Sequence, residues 1–225
     1  MPSGLLDTAR GWRETAARAV SRAIPADVLW YVDTTEPVFA LTFDDGPGPL
    51  STPGLLEVLG RHRARATFFL VGERVQAHPE LVTAIAEGGH EIANHLMRDE
   101  RSVLIPDPQF RRDLARTSEL LAPYGPVRWF RPGSGVFTRR MLRSAAEQDL
   151  QAVLGTLVAG NKDRPADQRI ARNLAPGIRA GSIVVLHEGT TERRGVVGTT
   201  DELLRTLAGR GLSAVTVSEL AALTL

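Results

Sequence analysis

The sequence predicts an α/β fold: one parallel sheet covered by helices and built as about seven strand–helix units. Three observations carry that expectation. Short apolar runs alternate with longer segments of helical periodicity. Runs such as residues 66–71 and 183–186 show little polar alternation, as strands buried on both faces require. No linker, internal repeat or low-complexity tract breaks the alternation, so the 225 residues read as one domain with an N-terminal extension. The unit count fits either an incomplete (β/α) barrel or an open doubly wound sheet.

Residues 4–24 read as an amphipathic helix, with Leu5, Ala9, Trp12, Ala16, Val20 and Ile24 on one face, arginines on the other and Pro25 as its stop. Packing on the outside of the domain is the simpler role, and lying on a membrane surface is the alternative. Residues 28–31 suggest a short strand. The alternation then begins: a strand over 38–43, a helix over 53–60 and a strand over 66–71. A helix over 79–87 has Pro79 in its first turn and Gly88-Gly89 as its stop. A strand follows over 90–94, and Asp107 is the expected cap of the next helix. Further strands are expected over 127–130 and 152–158, with a helix from Thr138 between them. A helix over 165–178 and a strand over 182–186 come next. Thr199-Thr-Asp-Glu202 has the pattern of a capping box opening the last long helix. A strand over 214–217 precedes a terminal turn capped by Ser218.

Composition narrows the function. The chain is 43% hydrophobic, enough for a real core, and its net charge of +1 gives no electrostatic case for a nucleic-acid partner. It has no cysteine, so any metal must rest on histidine and carboxylate ligands. No stretch is long and apolar enough to form a transmembrane segment. Charged residues punctuate the N-terminus, so a cleaved signal peptide is not expected. The default location is therefore cytoplasmic, with leaderless export or peripheral membrane contact left open.

In folds of this class, chemistry gathers at the carboxyl ends of the strands. Asp44 and Asp45 follow the first long strand, and two adjacent carboxylates there need a cation to offset their repulsion. His95 and Asp99 follow the third and are four residues apart, so a helical segment would aim both the same way. With a carboxylate from the first strand they would make a three-ligand divalent site with open positions for water and substrate. Arg131 and Ser134 follow the fourth strand. His187 ends an apolar run, where a near-neutral imidazole suits general acid work.

These residues also match a known pattern. Thr42-Phe-Asp-Asp-Gly-Pro47, Gly89-His-Glu-Ile-Ala-Asn-His95, Phe130-Arg-Pro132 and Gly181-Ser-Ile-Val-Val-Leu-His187 resemble, in order, motifs of the polysaccharide deacetylases (the NodB-homology domain, carbohydrate esterase family 4). The resemblance spans roughly residues 36–221. It implies a distorted, incomplete (β/α) barrel over residues 36–225, preceded by residues 1–35 as helix and lead-in. It also implies removal of N- or O-acetyl groups from a sugar or polysaccharide with one divalent metal ion, zinc by the family's habit. By that resemblance Asp44 is the general base, held and kept ionised by Arg131. Asp45 and His95 are metal ligands, His187 protonates the leaving group, and the Ser134 N–H supports the oxyanion.

The departures matter as much. Asp99 stands where a second histidine is usual, which would admit harder divalent ions than zinc. Ser134 stands where an aromatic residue is usual. The family's Asp-Trp motif is not recognisable, and Asp163 is a partner for His187 by position alone. The expected substrate is an N-acetylated sugar or oligosaccharide. The same chemistry on a small non-sugar amide, or an inactive carbohydrate-binding relative, are the alternatives.

Overall fold

The structure is a computed structural model that describes residues 28–159 and 167–224. The expected helix over 4–24 and Asp163 lie outside the described residues. The described strands are β1 (Val28–Leu29), β2 (Val38–Gly46), β3 (Thr67–Leu70), β4 (Glu91–Asn94), β5 (Trp129–Phe130), β6 (Gln151–Val153), β7 (Leu157–Val158), β8 (Ile183–His187) and β9 (Ser213–Val215). The helices are α1 (Thr52–His62), α2 (Gly72–Ala77), α3 (Pro79–Glu87), α4 (Asp107–Leu121), α5 (Arg139–Ala146), α6 (Asp167–Leu174), α7 (Val196–Ala208) and α8 (Val217–Ala221). The strands pair in parallel in the order β1-β6-β5-β4-β3-β2-β8-β7, with β9 also on β2.

That order forces the sheet to curl. β6 and β7 sit six strand steps apart, a separation of about 29 Å in a flat sheet at ~4.8 Å per step. Only residues 154–156 join them, and four Cα steps reach at most about 15 Å. The two ends of the sheet must therefore approach each other. The connecting residues bond to both ends: the Leu154 N–H donates to the Leu29 carbonyl at 2.8 Å, and the Thr156 N–H to the Ile183 carbonyl at 2.8 Å. The fold is thus an incomplete barrel and not a doubly wound sheet. The single strand expected over 152–158 is corrected to two short ones at opposite ends of the sheet. Gly155 lies at this crossing, where a Cβ would come within 2.4 Å of the Val185 side chain.

Period-two alternation sorts each strand between two layers. On β2, Phe39, Leu41 and Phe43 point outward into the layer shared with Leu55 and Leu59 of α1 and Leu203 and Leu207 of α7. Burying one such side chain stabilises the fold by about 1.5–3 kcal/mol. Ala40 points inward, to a barrel interior that includes Phe69, Ala93, Trp129 and Ile183. The same parity places Thr42 and Asp44 inside.

Three local expectations are corrected. α7 begins at Val196, so Thr199 and Thr200 lie within the helix, and the Thr200 hydroxyl donates back to the Val196 carbonyl at 2.8 Å. The capping box is instead at Thr216 and Glu219, opening α8, while the Ser218 hydroxyl turns to Glu91. Asp107 is the first residue of α4 and Pro106 its cap. α2 was not expected, since six residues opening on a glycine leave no periodic signature.

Candidate active site

Asp44 and Asp45 end β2, and one irregularity lets both serve one site. Neighbouring residues on a regular strand point to opposite faces. Here Asp44 pairs with Phe69 and Gly46 with Leu70, so Asp45 is the extra residue of a bulge. Its φ of 70° is left-handed, a conformation that aspartate tolerates better than most residues. The bulge redirects its carboxylate, and both aspartates are buried at 3–4% exposure.

Arg131, just past β5, holds Asp44. Its Nη1 donates to Asp44 Oδ1 at 2.6 Å and to Thr42 Oγ1 at 2.8 Å, and its Nε donates to the Val153 carbonyl at 3.2 Å. The guanidinium also lies 3.9 Å from the centre of the Phe69 ring. Four strands thus meet on one cation, which is itself buried.

His95 follows β4. Asn94 aims it: the Asn94 amide donates to the Leu114 carbonyl and Ser118 Oγ of α4, and its carbonyl oxygen accepts from the Leu96 N–H. His95 Nδ1 lies 2.8 Å from the Arg131 backbone carbonyl. A carbonyl can only accept, so Nδ1 carries a proton. His95 Nε2 faces Asp45 Oδ1 at 3.1 Å. Burial pushes the Asp45 carboxyl up, but the hydrogen bond to His95 and the charges of His95, Arg193 and His187 more than offset it, leaving it well below the usual carboxylate range. Burial pushes the His95 imidazole down, and Asp44 and Asp45 together raise it further.

This pair fits a divalent ion. An imidazole whose Nδ1 is fixed on a carbonyl, with Nε2 toward a carboxylate oxygen, is the arrangement of a metal-ligating histidine. The third expected ligand is placed differently. Residues 95–99 form no helix, and Leu96 has a φ of 65°, so the argument from four-residue spacing fails. Asp99 is 41% exposed and lies 3.7 Å from both Arg74 Nη2 and Arg193 Nη1. Among the described residues, no three His, Cys, Asp or Glu side chains gather as a ligand set.

His187 ends β8 in register with Asp44. Burial lowers its pKa, against the pull of the two aspartates. Ser134 is exposed with a φ of 67°, between Gly133, whose N–H donates to Ser102 Oγ, and Gly135, whose N–H donates to the Pro132 carbonyl.

Three residues without an assigned role complete the arrangement. The Arg193 Nη1 contacts Asp45 Oδ2 at 2.5 Å and donates to the Glu188 carbonyl at 3.2 Å. Arg74 Nη1 donates to the Asp45 carbonyl. Glu188 is fully buried, and its Oε2 accepts from Ser51 Oγ at 2.8 Å and Thr52 Oγ1 at 2.7 Å. Burial, the largest influence, pushes its pKa up to about 7. Both arginines lie outside recognisable motifs, so the sequence carries no signal for them. The fully buried state of Glu188 depends on packing around the turn after β2.

Comparisons with known proteins converge. The family model for polysaccharide deacetylase matches residues 31–153. A peptidoglycan-N-acetylglucosamine deacetylase of Bacillus cereus is 34% identical, over 86% of this chain and 92% of its own. A chitooligosaccharide deacetylase of a Bradyrhizobium species is 36% identical, over 66% of this chain and 69% of its own. A crystal structure of the Bc1960 peptidoglycan N-acetylglucosamine deacetylase superposes with a TM-score of 0.81 at 27% identity, covering 86% of this chain and 92% of that one.

Proposed function

This chain belongs to the polysaccharide deacetylase family, and from that premise we propose that it is a hydrolase that removes the acetyl group from N-acetylated glucosamine units of a polysaccharide or oligosaccharide. The bond cleaved is a carbon–nitrogen bond other than a peptide bond. The observation that carries the reading is the pairing of Asp44 with Arg131 at 2.6 Å beside the Asp45–His95 pair at 3.1 Å. Asp44 is committed to the buried Arg131 guanidinium, whereas Asp45 meets the His95 imidazole through Oδ1 and Arg193 through Oδ2, so the two adjacent aspartates have different surroundings and different tasks.

Asp44 is the general base for the attacking water, and Arg131 aims it. His187, on the adjoining strand, delivers a proton to the departing amine. The Ser134 N–H is a donor for the oxyanion that develops on the acetyl oxygen. Asp45 and His95 would hold a divalent ion, proposed to be zinc. When bound, that ion supplies Lewis acidity at the carbonyl and lowers the pKa of water. Leu50, Leu104 and Val136 are exposed on the loops after β2, β4 and β5, and offer sugar rings an apolar surface where an aromatic residue is missing.

The test is acetate release, with zinc supplied, from chitin oligomers, peptidoglycan fragments, acetylxylan and small amides. Release from the two N-acetylglucosamine substrates is expected. Release from small amides alone would replace the sugar reading, and release from none would make the chain an inactive binding relative.

A further inference from the structure

One guanidinium nitrogen lies within 4 Å of two carboxylates of the site. Arg193 Nη1 lies 2.5 Å from Asp45 Oδ2 and 3.7 Å from Asp99 Oδ2. Asp45 is the proposed metal ligand, and Asp99 occupies the position where the family pattern has its second histidine. A cation that bridged these two aspartates would need the ground that this nitrogen holds. We propose that Arg193 is an internal competitor for the metal: its guanidinium neutralises Asp45 and Asp99 and must withdraw for an ion to take both carboxylates. The proposal rests on the reading of Asp45 and His95 as metal ligands.

The surrounding structure suits this role. Arg193 ends a single 3₁₀ turn, Thr191–Arg193, outside the sheet, and is held there at Nη1 by the Glu188 carbonyl as well as by the aspartates. Moving one turn of loop disrupts no strand. Arg131 differs, since it is buried and clasped by three acceptors on two strands. Arg74 differs too. It lies 3.7 Å from the same Asp99 Oδ2 as Arg193, but at Asp45 it donates to the backbone carbonyl and leaves the carboxylate to Arg193. The same logic accounts for aspartate at position 99. A carboxylate pairs with a guanidinium and an imidazolium does not, so Asp99 and Arg193 support each other.

The test reads metal affinity, not turnover. Purified full-length chain, freed of metal by dialysis against a chelator, is titrated calorimetrically with Zn²⁺, alongside Arg193→Gln and Arg193→Ala. Arg193→Gln keeps most of the side-chain bulk, so a folding defect in the alanine variant would not leave the question open. Both variants are expected to bind zinc about tenfold more tightly than the unaltered chain, equivalent to about 1.4 kcal/mol. Equal or weaker binding in the variants would overturn the competition while leaving the metal reading intact. Zinc held by none of the three chains would overturn the metal reading, and the competition with it.

Discussion

Arg131 Nη1 lies 2.6 Å from Asp44 Oδ1, and both side chains are almost wholly removed from solvent. A buried ion pair of this kind is costly to break, because removing one partner leaves the other charge buried and unpaired. It also separates two aspartates that are adjacent in sequence. Asp44 takes the fixed cation, which leaves Asp45 for His95 and for whatever cation joins them.

Asp44→Asn should keep the shape of the site and remove the base. Acetate release should fall by at least about 100-fold, the scale of a general base, while bound zinc is retained. Turnover persisting near the original rate would remove Asp44 from the base role. Arg131→Ala should also destabilise the fold, by about 3–5 kcal/mol in denaturant titration, since it leaves Asp44 buried without its cation.

Asp45→Ala and His95→Ala should each abolish zinc retention, measured by metal analysis of purified protein. Asp99→Ala should weaken it by much less, because Asp99 is 41% exposed and its ion-pair partners are arginines. Full zinc content in Asp45→Ala or His95→Ala would displace the ligand assignment. Complete loss in Asp99→Ala alone would promote Asp99 to the principal ligand.

Glu188 gives a pH signature. Its pKa is about 7 in the folded chain against an ordinary 4.5, raised chiefly by burial. A carboxyl with a raised folded pKa favours the fold fully below its unfolded value, and that contribution is lost as pH rises through the folded value. The loss should therefore run between pH 4.5 and about 7 and amount to at most about 3 kcal/mol. Glu188→Gln removes the titration, so the stability of the variant relative to the unaltered chain should rise across that window. Urea titrations at about pH 5 and about pH 8 check this. A difference that stays flat would mean that Glu188 ionises as an ordinary carboxyl.

Gly46 offers an independent check on the same contact, since a Cβ there would come within 2.1 Å of Glu188 Oε1. Gly46→Ala should destabilise the chain by about 1–3 kcal/mol, the range for overpacking a filled interior. Glu188→Gln should not relieve it, because the amide fills the same space, whereas Glu188→Ala should. A neutral Gly46→Ala would show that the turn after β2 yields easily.

Local patterns in the sequence carried the class of the fold and brought the proposed site residues to one end of the sheet. Short apolar runs without polar alternation, set between helical segments, read as strands covered on both faces, and parallel strands put their carboxyl ends together, so Asp44, Asp45, His95, Arg131 and His187 could be read as one group. Even the inward position of Asp44 follows from the parity of Phe39, Leu41 and Phe43. Tertiary structure alone decided the rest, because it depends on contacts between residues far apart in the chain. The break of residues 152–158 into two strands follows from a strand order that no local pattern encodes. The bulge that brings Asp45 to the side of Asp44 appears only when β2 is paired with β3. Arg193 is 148 residues from Asp45, on a loop with no periodic signal, yet its charge shares the site with Asp99. Period and composition report which residues must be buried or brought to a strand end. The partner that each buried charge finds there is set by the closure of the barrel.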